Sequence, residues 1–225
     1  MSSIFPVING ALNADVSALN LISQNVANLQ TPGYLTEQAR PAFSTALKQP
    51  GVLLNLANGP LVQTGRSLDL ALQGPGFFVV DAGGETLLER NGQFARDAQG
   101  RLVDTQGFPV LGQTGPLILP DHPVQITASG EVLDGTHTLG RLRLVSVAQP
   151  QALQPVGNNL YAYRGATDVA SAVVHQGALE QSNVNAATEM IQLIALSRHV
   201  QSLQTALSAY DQAMDAGVQK LGTGS

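Results

Sequence analysis

The sequence predicts an α+β protein in which long N-terminal and C-terminal helices pair as a coiled coil around a central all-β domain of short strands. Three observations support this fold class. Both ends carry apolar residues at helical spacing, the remaining faces of these helices carry few charges, and the middle of the chain is rich in glycine and turn signals. We expect an axial helix and turn over 1–34, a linker over 35–60, the β domain over 61–165, a connecting segment over 166–184 and the second axial helix over 185–225.

The N-terminal helix is predicted from Ile4 to about Asn28. Its apolar positions alternate at spacings of four and three, as a and d positions do in a coiled coil, with Asp15 as the one polar member. These positions are Ile8, Leu12, Asp15, Leu19, Ile22, Val26 and Leu29. Pro32 ends the helix, and Pro32 followed by Gly33 favours a type II turn. The other faces carry amides and hydroxyls instead of Lys and Glu, which suits neutral hydrogen bonds to neighbouring protein.

The C-terminal helix is predicted from Ala186 to Leu221. Asn183 to Asn185 offer capping side chains, and no proline interrupts the chain from Ala186 to Gly222. Such a helix is on the order of 50 Å long, a length more typical of coiled coils or helical arrays than of globular domains. One face carries Met190, Leu193, Ser197, Val200, Leu203, Leu207, Tyr210, Met214 and Leu221, with Ile194 and Val218 beside it.

Neither helix is expected to be stable alone. Ordering the backbone costs about 1–2 kcal/mol per residue, whereas each buried apolar side chain returns roughly 1.5–3 kcal/mol. We therefore assign both helices to contacts with each other and with further subunits. The predicted subunit-interface residues are Ile8, Leu12, Leu19, Ile22, Asn25, Val26, Asn28, Leu29, Asn183, Asn185, Met190, Leu193, Ile194, Val200, Leu203, Leu207, Tyr210 and Met214.

The middle of the chain has the pattern of a compact all-β domain. Residues 67–72 alternate polar and apolar side chains, as a half-buried strand does. Residues 81–84 (DAGG), 91–92 (NG) and 97–100 (DAQG) are turn signals between apolar runs. The strands are short, and the domain forms from one internal stretch of chain.

Composition excludes several classes of function. The net charge is −5 and the 11 Lys and Arg residues are scattered, which argues against a nucleic-acid partner. There is no cysteine, so no disulfide framework or thiolate metal site is expected. No apolar run is long enough for membrane insertion. The N-terminus has neither a basic n-region nor an apolar h-region, so we expect export without a cleaved signal peptide.

The search for chemistry predicts no catalytic residue, no cofactor-binding residue and no metal ligand. His122, His137, His175 and His199 are far apart in sequence and show no zinc-like spacing. No nucleophile elbow or phosphate-binding glycine motif is present. We expect no cofactor and no enzymatic activity. Cell-wall hydrolysis is the enzyme alternative, and it would need a carboxylate pair or a zinc site in a cleft.

Three separated motifs resemble those of the flagellar axial proteins, the rod and hook family. Residues 22–28 (ISQNVAN) with 31–34 (TPGY) resemble the N-terminal motif of that family, and 179–185 (LEQSNVN) resemble its C-terminal motif. Residues 68–78 (LDLALQGPGFF) and 90–94 (RNGQF) resemble its central β domain. The motifs occur in the order found in the family and cover most of the chain. Leu35, His199 and the segment 36–59 depart from the family pattern.

The resemblance implies a structural subunit of the bacterial flagellar basal body, whose terminal helices form an inner tube and whose β domain lies outside it. The implied partners are other copies of the chain, other rod subunits and the flagellar type III export apparatus. The proximal-rod subunit is the most similar, on residues 110–120 and 139–142. A distal-rod or hook-type axial subunit remains an alternative, as does a soluble coiled-coil adaptor, although an adaptor would carry charged outer faces.

Overall fold

The computed structural model describes residues 4–39 and 52–222 of the 225-residue chain. The chain divides into two compact units. One, the terminal unit, comprises Met1–Val26 and Asn185–Ser225, and the other, the central unit, comprises Ala27–Val184. The terminal unit holds the two long helices, and the strands lie in the central unit.

The two helices lie where the sequence predicts them. Helix α1 spans Ile4–Ala27 and helix α2 spans Ala186–Gly222. Asn185 is the N-cap of α2, because its side-chain Oδ1 accepts a hydrogen bond from the Thr188 backbone N–H at 3.1 Å. Among the described residues, no helix has the length and apolarity needed to cross a membrane.

The predicted pairing of the two helices as a coiled coil is wrong. A coiled coil buries its a and d side chains, yet Leu19 is 41% exposed, Val26 is 44% exposed and Met190 is 65% exposed. On α1 the inward face includes Ile22, but it also carries the small or polar side chains of Ala11, Ala18 and Asn25. Such side chains are too small or too polar to act as the knobs of a knobs-into-holes seam.

The strands are short and are numbered here in chain order. They are β1 Glu37–Ala39, β2 Val52–Leu54, β3 Leu61–Gln63, β4 Leu70–Gln73, β5 Phe77–Asp81, β6 Thr86–Glu89, β7 Ala95–Arg96, β8 Leu102–Val103, β9 Leu111–Gly112, β10 Gly115–Pro116, β11 Gln125–Ile126, β12 Glu131–Asp134, β13 His137–Arg141, β14 Leu144–Val147, β15 Gln154–Gly157, β16 Leu160–Ala162, β17 Thr167–Val169, β18 Val173–Gln176 and β19 Ala178–Glu180. A 3-10 turn at Pro150–Ala152 precedes β15.

The largest sheet of the described residues has six strands in the order β15-β16-β6-β5-β14-β17. Its strand pairs are antiparallel, and β5 and β6 form the hairpin that residues 81–84 predict. A second sheet has the order β11-β12-β13. The remaining strands pair two by two as β1-β2, β3-β19, β4-β18, β7-β8 and β9-β10.

The inner strands β5 and β6 of the six-stranded sheet are buried on both faces, and their successive side chains point to opposite sides. On β5, Phe78 and Val80 belong to the main aliphatic cluster with Leu70 and Val110. Phe77 and its neighbours on the same face belong to a second cluster. The main cluster contains an edge-to-face contact between Phe78 and Phe94, with ring centroids 5.0 Å apart.

The central unit is longer than the β domain predicted over 61–165. Strands β1 and β2 pair within the segment predicted as a linker, and residues 40–51 of that segment lie outside the described residues. Strands β17, β18 and β19 lie in the segment predicted to connect the domain to the second helix. Two of these, β18 and β19, pair with β4 and β3, more than 100 residues earlier in the chain.

Candidate functional site

Helix α1 presents an apolar surface to solvent. Val16, Leu19 and Val26 are all exposed, and Leu12 is half-buried. These positions are separated by four, three and seven residues, so they lie along one side of the helix. Asp15 is the only ionisable residue between Ile4 and Ala27, and it is buried. The exposed surface of α1 is therefore uncharged.

Helix α2 exposes apolar side chains in its first two turns. Met190, Ile191, Leu193 and Ile194 are all exposed. Further along the helix, the predicted interface residues Val200, Leu203, Leu207 and Tyr210 are half-buried. The side chain of Met214 lies outside the described part of the structure.

Other predicted interface residues are turned inward. Ile22 and Asn25 are buried, and Ile8 is half-buried. Asn28 and Leu29 follow the end of α1 and are half-buried, and Asn28 accepts a hydrogen bond from the Thr31 hydroxyl at 3.0 Å. The predicted set thus divides into exposed residues and residues that pack within the subunit.

Asn183 makes its side-chain hydrogen bonds inside the central unit. Its Oδ1 accepts from the Thr36 backbone N–H at 2.7 Å and from the Thr36 hydroxyl at 2.6 Å. Its Nδ2 donates to the backbone oxygens of Asn55 at 2.8 Å and Ala57 at 2.7 Å. An amide that makes these four hydrogen bonds ties the strand ends together and has little capacity left for a partner.

Three motifs that are distant in sequence meet at this place. The Gly33 N–H donates to the Glu180 carbonyl at 2.8 Å, which joins the N-terminal motif to the C-terminal motif. Gly33 has φ of +69°, and a Cβ there would lie 2.4 Å from the backbone nitrogen of Asn91. Only glycine combines this conformation with this close approach. The TPGY turn therefore packs directly on the 90–94 motif.

A buried ion pair completes the junction. Arg90 Nε lies 2.6 Å from Glu180 Oε2, and Arg90 Nη2 lies 3.3 Å from Glu180 Oε1. Both side chains are about as buried as any in the protein, at 2% exposure for each residue. Glu180 also accepts from the Gly59 N–H at 2.8 Å, and Arg90 donates to the Gly76 carbonyl. We call these contacts the anchor: Arg90 and Glu180 with Gly33, Thr36 and Asn183.

The sequence motifs include Gly33, Arg90, Glu180 and Asn183 but not Thr36, and the sequence did not predict a role for Arg90 or Glu180. The available signal was the presence of one arginine and one glutamate inside two motifs otherwise made of apolar and amide residues. Two opposite charges in such surroundings are stable only when they meet, because an unpaired buried charge is strongly unfavourable.

Two acidic side chains are also buried in the central unit. Glu89 on β6 is fully buried and Asp104 is almost fully buried, and the two carboxyls are close enough for Asp104 to affect the pKa of Glu89. Burial, and to a smaller extent the Asp104 carboxyl, raise the pKa of Glu89 to about 9. Burial also raises the pKa of Asp104. Because neither carboxyl reaches the surface, this pair does not form the open carboxylate site that hydrolysis of a cell-wall polymer requires.

The histidines remain apart in the structure. His175 contacts Gln73, His199 contacts Asp15 and His122 lies 3.7 Å from Asp134. In the described ranges 4–39 and 52–222, no group of three or more His, Cys, Asp or Glu residues is arranged to hold a metal ion.

A polar cleft of about 480 Å³ lies in the central unit beside β14 and β17. Its lining includes Arg141, Arg143 and Asp168. The Arg141 Nε donates to the Ser129 carbonyl at 3.1 Å, so this arginine holds a loop.

Comparisons with known families match two parts of the chain. Residues 71–133 match the family described as flagellar hook protein FlgE/F/G D1 domain. Residues 175–220 match the family described as flagellar basal body rod FlgEFG protein C-terminal. The first match covers strands from β4 into β12, and the second covers the end of β18, β19 and most of α2.

Similar proteins extend over nearly the whole chain. The flagellar basal-body rod protein FlgF of Caulobacter vibrioides is 34% identical over 226 residues, which cover 91% of each chain. The flagellar basal-body rod protein FlgG of Agrobacterium fabrum is 29% identical and covers 89% of this chain and 92% of its own length. FlgG of Bacillus subtilis is 28% identical over 95% of this chain and 97% of its own.

Proposed function

The chain belongs to the family of flagellar basal-body rod proteins and is a structural subunit of the rod, and we propose that it polymerises through the exposed apolar surfaces of α1 and α2. The rod is an assembly of such subunits in the basal body, so the partners of this chain are rod and hook-type subunits. The chain is a structural protein and not an enzyme, in agreement with its relatives.

The observation that carries the proposal is the exposure of apolar side chains on helices that carry few charges. We name the proposed contact surface by its members: Val16, Leu19, Val26, Met190, Ile191, Leu193 and Ile194. Apolar area removed from water contributes roughly 25 cal/mol per Å². Several large apolar side chains exposed along one helix indicate an interaction surface.

The remaining predicted interface residues receive a different assignment. Asn183 and Asn185 are used within the chain, one in the anchor and the other as the cap of α2. Ile22 and Asn25 are buried in the subunit itself. We propose that these residues shape the subunit and that the exposed members make the contacts with neighbours.

We propose that the subunit is of the FlgF type. The support is the 34% identity to the Caulobacter FlgF, which exceeds the 29% identity to the Agrobacterium FlgG, whereas the FlgF of Mesorhizobium japonicum is 27% identical. Expression in strains that lack either the FlgF-type or the FlgG-type subunit tests this assignment. Motility restored only in the second strain would contradict it.

We also propose delivery by the flagellar type III export apparatus with the N-terminal segment retained. The support is that α1 carries Val16, Leu19 and Val26 of the proposed contact surface, so cleavage after these residues would remove them from the subunit. Mass spectrometry of the subunit from purified basal bodies tests this point. An N-terminus beginning after α1 would contradict it.

The assembly role is tested with a pair of charge substitutions on α2. Ile194→Asp places a carboxylate in the contact surface, where burial against a neighbour is strongly unfavourable. We expect the purified variant to keep its fold, but to be absent from isolated basal bodies and to abolish motility. Gln201→Asp is the matched control, because it adds the same charge to an exposed polar position of the same helix.

A second comparison separates assembly from folding. Leu19 is exposed and Ile22 is 6% exposed, three residues further along α1. Leu19→Asp should leave helix content unchanged and prevent assembly, whereas Ile22→Asp should reduce the helix content measured by circular dichroism. Normal swimming of the Leu19→Asp and Ile194→Asp strains would refute the contact surface.

A further inference from the structure

Asp15 is an unusual residue in the terminal unit. It is the only ionisable side chain of α1, and it is 8% exposed, although a lone carboxylate on a helix is normally solvated. Its two oxygens lie 3.0 and 3.1 Å from Nδ1 of His199 on α2. A carboxylate only accepts hydrogen bonds, so the His199 Nδ1–H donates to it.

The apolar residues around this contact do not distinguish one alignment of the helices from another. On α2 the half-buried positions are Leu196, Val200, Leu203, Leu207 and Tyr210, at spacings of four, three, four and three. On α1, Ala11 and Ala18 are half-buried and lie seven residues apart. If one helix slid by seven residues, apolar side chains would again meet apolar side chains. The apolar contacts alone therefore permit several registers.

The polar contact removes this ambiguity. In the shifted register that places Leu203 where Leu196 lies, Ala206 takes the place of His199, and the Asp15 carboxylate loses its donor. A buried carboxylate without a donor is strongly unfavourable, and a single polar residue within an apolar helix contact is a known means of fixing register. We propose that the Asp15–His199 hydrogen bond is the positioning contact that fixes the register of α1 against α2. This proposal concerns a contact within one chain and is independent of the proposed contact surface.

The direction of the helices follows from the chain path. α1 ends six residues before Gly33, and α2 begins six residues after Glu180, whose carbonyl accepts the Gly33 N–H. Short connections of this kind, together with the contact between Asp15 and His199, require antiparallel helices. Ala18, three residues after Asp15, is therefore level with Leu196, three residues before His199.

Disulfide trapping in the full chain tests the proposal, because the protein has no cysteine of its own. The pair Ala18→Cys with Leu196→Cys reports the native register. The pair Ala18→Cys with Leu203→Cys reports a register shifted by seven residues. In the otherwise unchanged chain we expect the first pair to form a disulfide under mild oxidation and the second to remain at background.

His199→Leu removes the donor while adding apolar surface, so loss of helix is not expected. We expect this substitution to reduce the preference for the 18–196 disulfide over the 18–203 disulfide by about tenfold. Gln201→Leu is the control, since it adds the same side chain two residues away, and it should leave the preference unchanged.

The reciprocal exchange separates a positioning role from general packing. Asp15→His alone should lose the preference, and Asp15→His combined with His199→Asp should restore it, because the donor and the acceptor again face each other. An unchanged preference in His199→Leu, or no restoration in the exchanged pair, would overturn the proposal. Equal yields of both disulfides in the otherwise unchanged chain would also overturn it.

Discussion

The central unit and the terminal unit bury different kinds of side chain. In the central unit Leu70, Phe78 and Val110 are completely removed from solvent, within one large aliphatic cluster. In the described part of the terminal unit, the buried side chains are Asp15, Ile22, Asn25 and Glu189, of which only Ile22 is apolar. At the same time the terminal unit exposes much of its apolar surface.

This difference shows that the number of apolar residues in a unit does not determine whether those residues are buried within the same chain. The hydrophobic contribution to folding is proportional to the apolar area removed from water. The central unit buries its apolar side chains within its own core. The terminal unit has helices of the length and pattern expected of a core but leaves Leu19, Met190 and Ile194 exposed. This division fits the proposed assembly, in which the central unit folds by itself and the exposed apolar side chains of the terminal unit pack against neighbouring subunits.

The largest effect should come from separating the two units. A fragment of residues 27–184 contains the clusters and the anchor, so we expect it to unfold in one cooperative thermal transition. Peptides covering 1–26 and 185–225 should show little helix alone, because burial rather than propensity stabilises most protein helices. A fragment without a cooperative transition, or peptides with stable helix, would reverse the comparison between the units.

A smaller but still large effect is expected from the anchor. Arg90→Ala leaves the Glu180 carboxylate buried without its partner, and breaking a buried pair in this way costs about 3–5 kcal/mol. Urea denaturation of the full chain measures the loss. Arg96→Ala is the control: Arg96 pairs with the exposed Asp121, so about 0–1 kcal/mol is expected. Equal losses in the two variants would show that the Arg90–Glu180 pair does not stabilise the junction.

The buried Glu89 gives the central unit a pH-dependent contribution to stability. Folded Glu89 keeps its proton to about pH 9, because burial raises its pKa, whereas the unfolded chain loses that proton near 4.5. The contribution of Glu89 to stability is therefore greatest below the lower of these values and decreases as the pH rises towards the higher one, by up to about 1.4 kcal/mol per pH unit.

Glu89→Gln should remove this part of the pH dependence. The variant should be more stable than the unsubstituted protein at pH 8 and similar to it at pH 4.5, in urea denaturation at both values. Glu85→Gln changes an exposed glutamate of the same hairpin and should leave the slope as it is. An unchanged slope in Glu89→Gln would mean that Glu89 is ionised in the folded protein.

The smallest effect is expected at the cap of α2. Asn185→Ala removes the acceptor for the Thr188 N–H, a change that costs about 1 kcal/mol. Faster hydrogen exchange at the Thr188 amide measures it, while Gln192→Ala in the helix interior should leave that amide unchanged. An unchanged hydrogen-exchange rate at the Thr188 amide in Asn185→Ala would show that the Asn185 side chain does not stabilise the N-terminus of α2.

The sequence was sufficient to predict the two helices, the β5–β6 hairpin and the protein family. A repeated apolar spacing with no proline beyond the first turn places α1 and α2, and the turn signals place the β5–β6 hairpin. These properties depend on residues that are close together in the sequence, so short stretches of sequence are enough to predict them. The motifs also identify the rod and hook family, which the relatives confirm.

The sequence by itself determined the two helices, the β-rich centre and the family, because each depends on local pattern. Only the tertiary structure decided which side of α1 is buried, since Val26 and Asn25 are adjacent and a seven-residue repeat fits either side. It alone brought β18 to β4 and Arg90 to Glu180, because contacts across about 90 or more residues depend on the path of the whole chain. The physical reason is the same in each case: burial is a property of the assembled surfaces, and a local pattern does not specify it.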